Sequence, residues 1–219
     1  ETGHIKRYHV KETRFMHCCL RCRNGEFLFA GEKYLYQYDE QGDSLVYKDW
    51  LSSTPIAPNI KALQEDEEGN LYVASSQSGL AVLNKQREVI HYYKHDPDDP
   101  FSLIKGSICG LFTDSHKRLW ILSETSGLFY LDKANNKFIH LNMTNSALSS
   151  NVVRAIAEGE PGTLLLGTFA GLNSLDLETF KVTPYKFNPN EPGTLSYYSV
   201  HSLLKDNTGA LWVGTWKGL

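Results

Sequence analysis

The sequence predicts an all-β fold, a β-propeller of four-stranded antiparallel blades. Three observations predict it. A unit of about 45 residues recurs along the 219-residue chain. Each complete unit holds four short apolar runs separated by turn residues. No window combines a helical period with capping residues.

The unit is clearest at the end of the chain, KDNTGALWVGTWKGL. Earlier copies read EDEEGNLYVASSQSGL, TDSHKRLWILSETSGL and EGEPGTLLLGTFAGL, with a weaker one, CRNGEFLFAGEKYL, near the start. The residue closing the turn before the apolar run is Gly25, Gly69, Lys117, Gly162 and Gly209, in steps of 44, 48, 45 and 47. The blades are expected at 14–55, 56–103, 104–148, 149–195 and 196–219. The last breaks off as its third strand begins, which leaves about four and a half blades of a ring expected to hold seven.

Each strand follows from its column. Strand one passes through Met16, Ile60, Ile108, Val153 and Val200, with a small residue two places on: Cys18, Ala62, Gly110, Ala155 and Ser202. A turn opened by Asp66, Asp114 and Asp206 follows, because Asp caps backbone NH groups and Gly accepts positive φ. Cys22 and Gly159 hold the Asp place in the other copies. Strand two is a continuous apolar run, such as Leu119-Trp120-Ile121 or Leu211-Trp212-Val213, as expected of a strand buried on both faces. Trp120, Trp212 and Tyr72 share one column and are expected in the core. Strand three begins at a Gly-Leu pair, as at Gly127-Leu128. Strand four is looser and aromatic: Val89 to Tyr93, Phe138 to Leu141 and Phe180 to Phe187.

Composition suits this architecture and narrows function. The chain is 41% hydrophobic and 12% aromatic, enough for a packed core. Twenty-two basic against 25 acidic residues, net −3, excludes the basic excess of a nucleic-acid binder. No run of about 18 apolar residues predicts a membrane span, and no signal-peptide pattern is read. Cys18 and Cys22 would lie about 13 Å apart along a strand, too far to bridge. A Cys18–Cys109 link stays open, and buried free thiols are the main expectation.

Two connectors sharpen the family reading. Asp96-Pro97-Asp98-Asp99-Pro100 parallels Asn188-Pro189-Asn190-Glu191-Pro192, followed by Ser102-Leu103 and Thr194-Leu195 respectively. Together with the Asp-x-x-Gly-x-Leu-Trp-Val-Gly-Thr block and the Gly-Leu start of strand three, they resemble the two-component regulator propeller repeat. The resemblance is strongest over 188–219 and weakest before residue 50. It implies the periplasmic sensor region of a Bacteroides-type hybrid two-component system, in an inner-membrane, dimeric parent carrying a histidine kinase. Such sensors detect glycan-derived oligosaccharides and control carbohydrate-utilisation genes. The chain itself is then a non-enzymatic piece of a sensor that binds no nucleic acid. Exposed blade faces are expected to drive its self-association.

A propeller of this connectivity gathers its blade connectors and the loops after strand two on one face, the default binding surface. Within strand one, the column His17, Lys61, Cys109, Arg154 and His201 is variable and mostly polar. A sugar site needs aromatic faces and directed polar groups. The candidate ligand-binding residues are therefore Lys61, Glu124, Arg154, Phe169, Tyr197, Tyr198, His201 and Trp216. No phosphate loop, metal-ligand spacing or nucleophile elbow is present, so no cofactor, metal or catalytic residue is expected. A protein-interaction propeller and a propeller lyase or glycoside hydrolase are the alternatives. The first lacks the Gly-His and Trp-Asp blade signatures. The second has only Glu124, His201 and Lys61 as modest acid–base candidates.

Overall fold

The computed structural model describes residues 7–8, 10, 15–32, 34–54, 56, 59–77, 79–103, 105–185, 187–188, 190–191 and 194–219. Of the connector prolines, Pro189 and Pro192 lie outside the described residues. The chain divides into two compact units, Glu1–Tyr93 and Lys94–Leu219.

The first unit holds two sheets, each antiparallel and ordered as in sequence. One is β1 (Met16–Arg21), β2 (Phe27–Gly31), β3 (Leu35–Asp39) and β4 (Ser44–Lys48). The other is β5 (Ile60–Glu65), β6 (Leu71–Ser75), β7 (Gly79–Leu83) and β8 (Val89–Tyr93). Leu28, Ala30 and Leu35 of the first pack on Ile60, Leu63, Leu71 and Val73 of the second.

The second unit repeats the design. It holds β9 (Ile108–Thr113), β10 (Leu119–Ser123), β11 (Leu128–Asp132) and β12 (Lys137–Leu141), then β13 (Val153–Glu158), β14 (Thr163–Thr168), β15 (Gly171–Asp176) and β16 (Val182–Tyr185). A two-stranded sheet, β17 (Val200–Lys205) and β18 (Leu211–Thr215), completes it. Trp120, Leu122 and Leu128 of one sheet meet Leu164, Leu166 and Val182 of the next. The four complete sheets are thus four-stranded antiparallel blades, as the repeat predicts.

The Asp of the repeat does more than open a turn. Asp114 Oδ1 accepts from the backbone N of His116 and Arg118, and Oδ2 accepts from Trp120 Nε1 at 2.8 Å. Asp66 does the same with Glu68 N, Asn70 N and the Tyr72 hydroxyl. Asp206 uses Thr208 N, Ala210 N and Trp212 Nε1, the last at 2.7 Å. One carboxylate therefore caps the turn and satisfies the polar atom of the strand-two aromatic, which is what lets a Trp be buried whole. Trp120 is fully buried and Tyr72 nearly so, as expected, but Trp212 is 49% exposed. Among the described residues, β17–β18 has a packed sheet against one face only, so its outward side chains, Leu204 and Trp212, meet solvent.

Neighbouring blades are also joined at these turns. Glu65 Oε2 accepts from Arg23 N of the preceding blade, and Glu158 Oε1 from Ser115 N, each at 2.6 Å. At the same position of the last blade, Lys205 Nζ donates to the Gly159 carbonyl. The chemistry inverts while the contact persists.

The expected fourth strand from Phe180 to Phe187 is shorter than read. Phe180 lies in the β15–β16 hairpin with φ of 56°, as do Asp43, Arg87 and Asn136 in the corresponding hairpins, all with positive φ. Asp39, Asn84, Asp132 and Asp176 open these turns by accepting from the backbone N two residues on. A left-handed residue closes each turn and aims its side chain sideways. Phe180 stacks on Tyr130 of the preceding blade at 5.4 Å, beside Trp120. Arg87 reaches back likewise, donating to Glu26 Oε2 at 2.6 Å beneath Trp50.

The connectors close on themselves. The Ser102 hydroxyl accepts from Asp96 N and donates to Asp96 O; Thr194 does the same for Asn188. Leu103 and Leu148 anchor their connectors in the core. All four cysteines are free thiols. Only Cys22 is buried, with Cys18 and Cys109 half-buried and Cys19 exposed. Burial, then the neighbouring Cys19, pushes the Cys18 thiol up to about 12, so it is inert as a nucleophile.

Two substitutions test blade packing. A Cβ on Gly167 would lie 2.7 Å from Val200 Cγ1 of the next blade, and a β-branched side chain has no rotamer to spare. Gly167→Ala should cost about 1–3 kcal/mol in chemical denaturation. Lys117, at φ of 66°, stands where four repeats have Gly. Lys117→Gly should stabilise by about 0.5–1 kcal/mol, the relief of left-handed strain less the added unfolded-state freedom.

Asp206 gives an acid-stability test. Hydrogen bonds from Thr208, then Trp212, lower its carboxyl to about 2 from 3.8. Its contribution is present above pH 3.8 and is lost as pH falls towards 2, because the unfolded chain takes up the proton first. The melting-temperature gap between the wild type and Asp206→Asn should narrow across that window and stay constant from pH 5 to 7.

Candidate functional site

The polar column of strand one is a column of β-bulges. Register shifts between Met16 and Cys18, Ile60 and Ala62, Val153 and Ala155, and Val200 and Ser202 leave His17, Lys61, Arg154 and His201 without a cross-strand partner. Cys109 is skipped in the same way between Ile108 and Gly110. A bulged residue escapes the in–out alternation of its strand, so a polar side chain can stand in an otherwise apolar element. The small residue that follows makes room for it.

Bulged side chains of adjacent blades touch. In the first unit Lys61 Nζ lies 3.4 Å from His17 Nε2. In the second, Cys109 Sγ donates to Val153 O at 3.2 Å, and Arg154 NH1 lies 3.3 Å from His201 Nδ1. The buried Ser199 hydroxyl lies 3.1 Å from His201 Nε2. Burial, then the charge of Arg154, lowers the His201 pKa, keeping its imidazole neutral so that a lone pair can receive the guanidinium.

Aromatic rings from three loops extend this pair. Trp216, after β18, meets His201 edge-on at 5.0 Å. The Arg154 guanidinium lies 6.0 Å from the ring of Phe169, in the β14–β15 loop. Phe169 meets Tyr198 edge-on at 5.9 Å, and Tyr197 and Tyr198 lie against each other with their hydroxyls hydrogen-bonded. Lys217 Nζ sits 5.1 Å over Tyr197. The loops are held from below. Phe169 N donates to Val152 O, and the Thr168 and Thr215 hydroxyls accept from Ala170 N and Lys217 N. Phe169, Tyr198 and Trp216 are exposed, so the result is a fixed aromatic surface with a cationic centre.

Six of the eight candidates, Arg154, Phe169, Tyr197, Tyr198, His201 and Trp216, are thus brought together. Glu124, equivalent in position to Phe169, is exposed and contacts Ser107, apart from the cluster's chain of contacts. Lys61 belongs to the first unit and pairs with His17. Lys217, expected on this face as a residue of the loop after strand two, joins the site, and so does Ser199, which was not a candidate. Ser199 carries no sequence signal. Among the described residues, no group of three or more His, Cys, Asp or Glu could hold a metal.

Four-stranded antiparallel sheets repeated in this way define a β-propeller. The family model "two component regulator propeller" matches residues 194–217. The extracellular domain of the hybrid two-component system BT3049 from B. thetaiotaomicron is 25% identical with a TM-score of 0.78, over 94% of this chain and 28% of that one. The extracellular domain of system BT4673 from the same organism, 19% identical with a TM-score of 0.72, shares the fold over 95% and 28%. A protein named histidine kinase P4, from Formosa agariphila, is 29% identical over 151 residues, 65% of this chain and 10% of that protein. Residues 194–217 thus match one two-component regulator propeller repeat, and the chain is similar to the propellers in extracellular domains of hybrid two-component systems. It spans only those fractions of these relatives' lengths. No described helix is long and apolar enough to cross a membrane.

The His201–Arg154 contact predicts a titration. The His201 imidazole should titrate below 6.5 by NMR, and Arg154→Ala should move its midpoint upward by removing the adjacent positive charge. An unchanged midpoint in the variant would show that the two side chains do not meet in solution.

Proposed function

We propose that this chain is the ligand-sensing propeller of a hybrid two-component histidine kinase, and that it detects oligosaccharides derived from glycans. It works in the periplasm, in a dimeric parent anchored in the inner membrane, and its signal controls genes for carbohydrate use. The observation that carries this reading is the continuous surface from Trp216 through His201, Arg154 and Phe169 to Tyr197. Exposed rings offer faces for the CH-rich side of a pyranose, and the adjacent guanidinium and hydroxyls offer direction for its polar groups. The kinship with extracellular domains of hybrid two-component systems supports placing that surface outside the cytoplasm. Ligand binding would act by favouring one arrangement of the parent dimer over another.

Calorimetric titration of the 219-residue chain with a panel of oligosaccharides tests this. Saturable binding without cleavage is expected, and Trp216→Ala should weaken it by about tenfold, the loss of one stacked ring. Cleavage of the sugar would reassign the chain to the propeller enzymes, and absence of binding across the panel would remove the sugar-sensing reading.

A further inference from the structure

The charge pattern of the cluster narrows its ligand. Among the described residues, three arginines are not exposed: Arg87, Arg118 and Arg154. Arg87 meets Glu26 at 2.6 Å and Glu65 at 3.8 Å, and Arg118 meets Asp114 at 2.8 Å. Arg154 meets no carboxylate. Its single polar contact is the neutral imidazole of His201, through NH1, which leaves Nε and NH2 without an acceptor among the described residues. Lys217, the second cation of the cluster, likewise has no carboxylate partner among the described residues and lies over the Tyr197 ring.

The whole bulge column shares this bias. Its five residues are two His, one Lys, one Arg and one Cys, with no Asp or Glu, in a chain where acids outnumber bases 25 to 22. A partly buried guanidinium with half its fork unoccupied, walled by an aromatic ring, is built for a planar or tetrahedral oxyanion that two parallel N–H bonds can hold.

We infer that the cluster recognises an anionic saccharide, with Arg154 gripping a carboxylate or sulfate substituent while Phe169, Tyr198 and Trp216 take the ring. Lys217 adds long-range attraction, and neutral His201 orients the guanidinium by accepting from NH1. This inference rests on the sugar-sensing reading and adds the charge of the ligand to it. Uronates and sulfated sugars share the required chemistry.

The test is calorimetry on the 219-residue chain with matched probes: neutral galactan oligosaccharides, galacturonate oligosaccharides and sulfated galactan oligosaccharides of equal length. One of the two anionic probes is expected to bind about tenfold or more tightly than the neutral one, as a charge-assisted bidentate contact requires. Its affinity should fall with added salt. Which anionic probe wins distinguishes uronate from sulfate. Arg154→Gln should abolish the preference at unchanged melting temperature, and the exposed Lys217→Gln should weaken anionic binding more than neutral binding. Equal binding of neutral and anionic probes would overturn the inference and leave sugar sensing standing. Failure of all three probes to bind would overturn both.

Discussion

A four-stranded antiparallel blade has two faces and can cover neither by itself. Every other feature of this chain follows from that constraint. Strand two is apolar on both sides, and β6 and β10 are buried along their whole length. A buried Trp needs a partner for its indole NH, and the turn Asp supplies one from within the same blade. The buried indole is therefore satisfied within its own blade before that blade meets its neighbour.

The contacts that hold one blade to the next gather at one end of the strands, where the turn before strand two and the outer hairpin lie together. At the turn before strand two, Glu65, Glu158 and Lys205 each bond backbone of the preceding blade. At the outer hairpin, Arg87 and Phe180 reach back from left-handed positions. One uses charge and the other a ring, and the position permits either because it is defined by backbone direction. Arg87 also accounts for Trp50, which lies over its guanidinium and has no counterpart in the repeat.

The candidate site uses the parts of the blade that this packing leaves over. A bulge removes one residue per repeat from the alternation of strand one, and the loops after strand two stand above it. Bulge and loop together present side chains whose identity packing does not dictate. That freedom is why the column varies from His to Lys to Cys to Arg while its neighbours remain small or apolar. A surface built this way can change its side chains without disturbing the blades beneath it.

The sequence by itself determined the number of repeats, the four strands of each complete one and the residues that open and close their turns. These depend on local periodicity and on φ preferences, which a short segment carries alone. It also marked six residues that meet in one cluster, because equivalent places in successive blades lie side by side. Only the tertiary structure decided that the polar column is bulged, that Asp206 holds Trp212, that Phe180 leaves strand four for the neighbouring blade, and that Ser199 supports His201 while Glu124 stands apart. The physical reason is the same in each case. Those outcomes depend on how neighbouring strands shift register and how one sheet rotates on the next, and such geometry exists only once the sheets have packed.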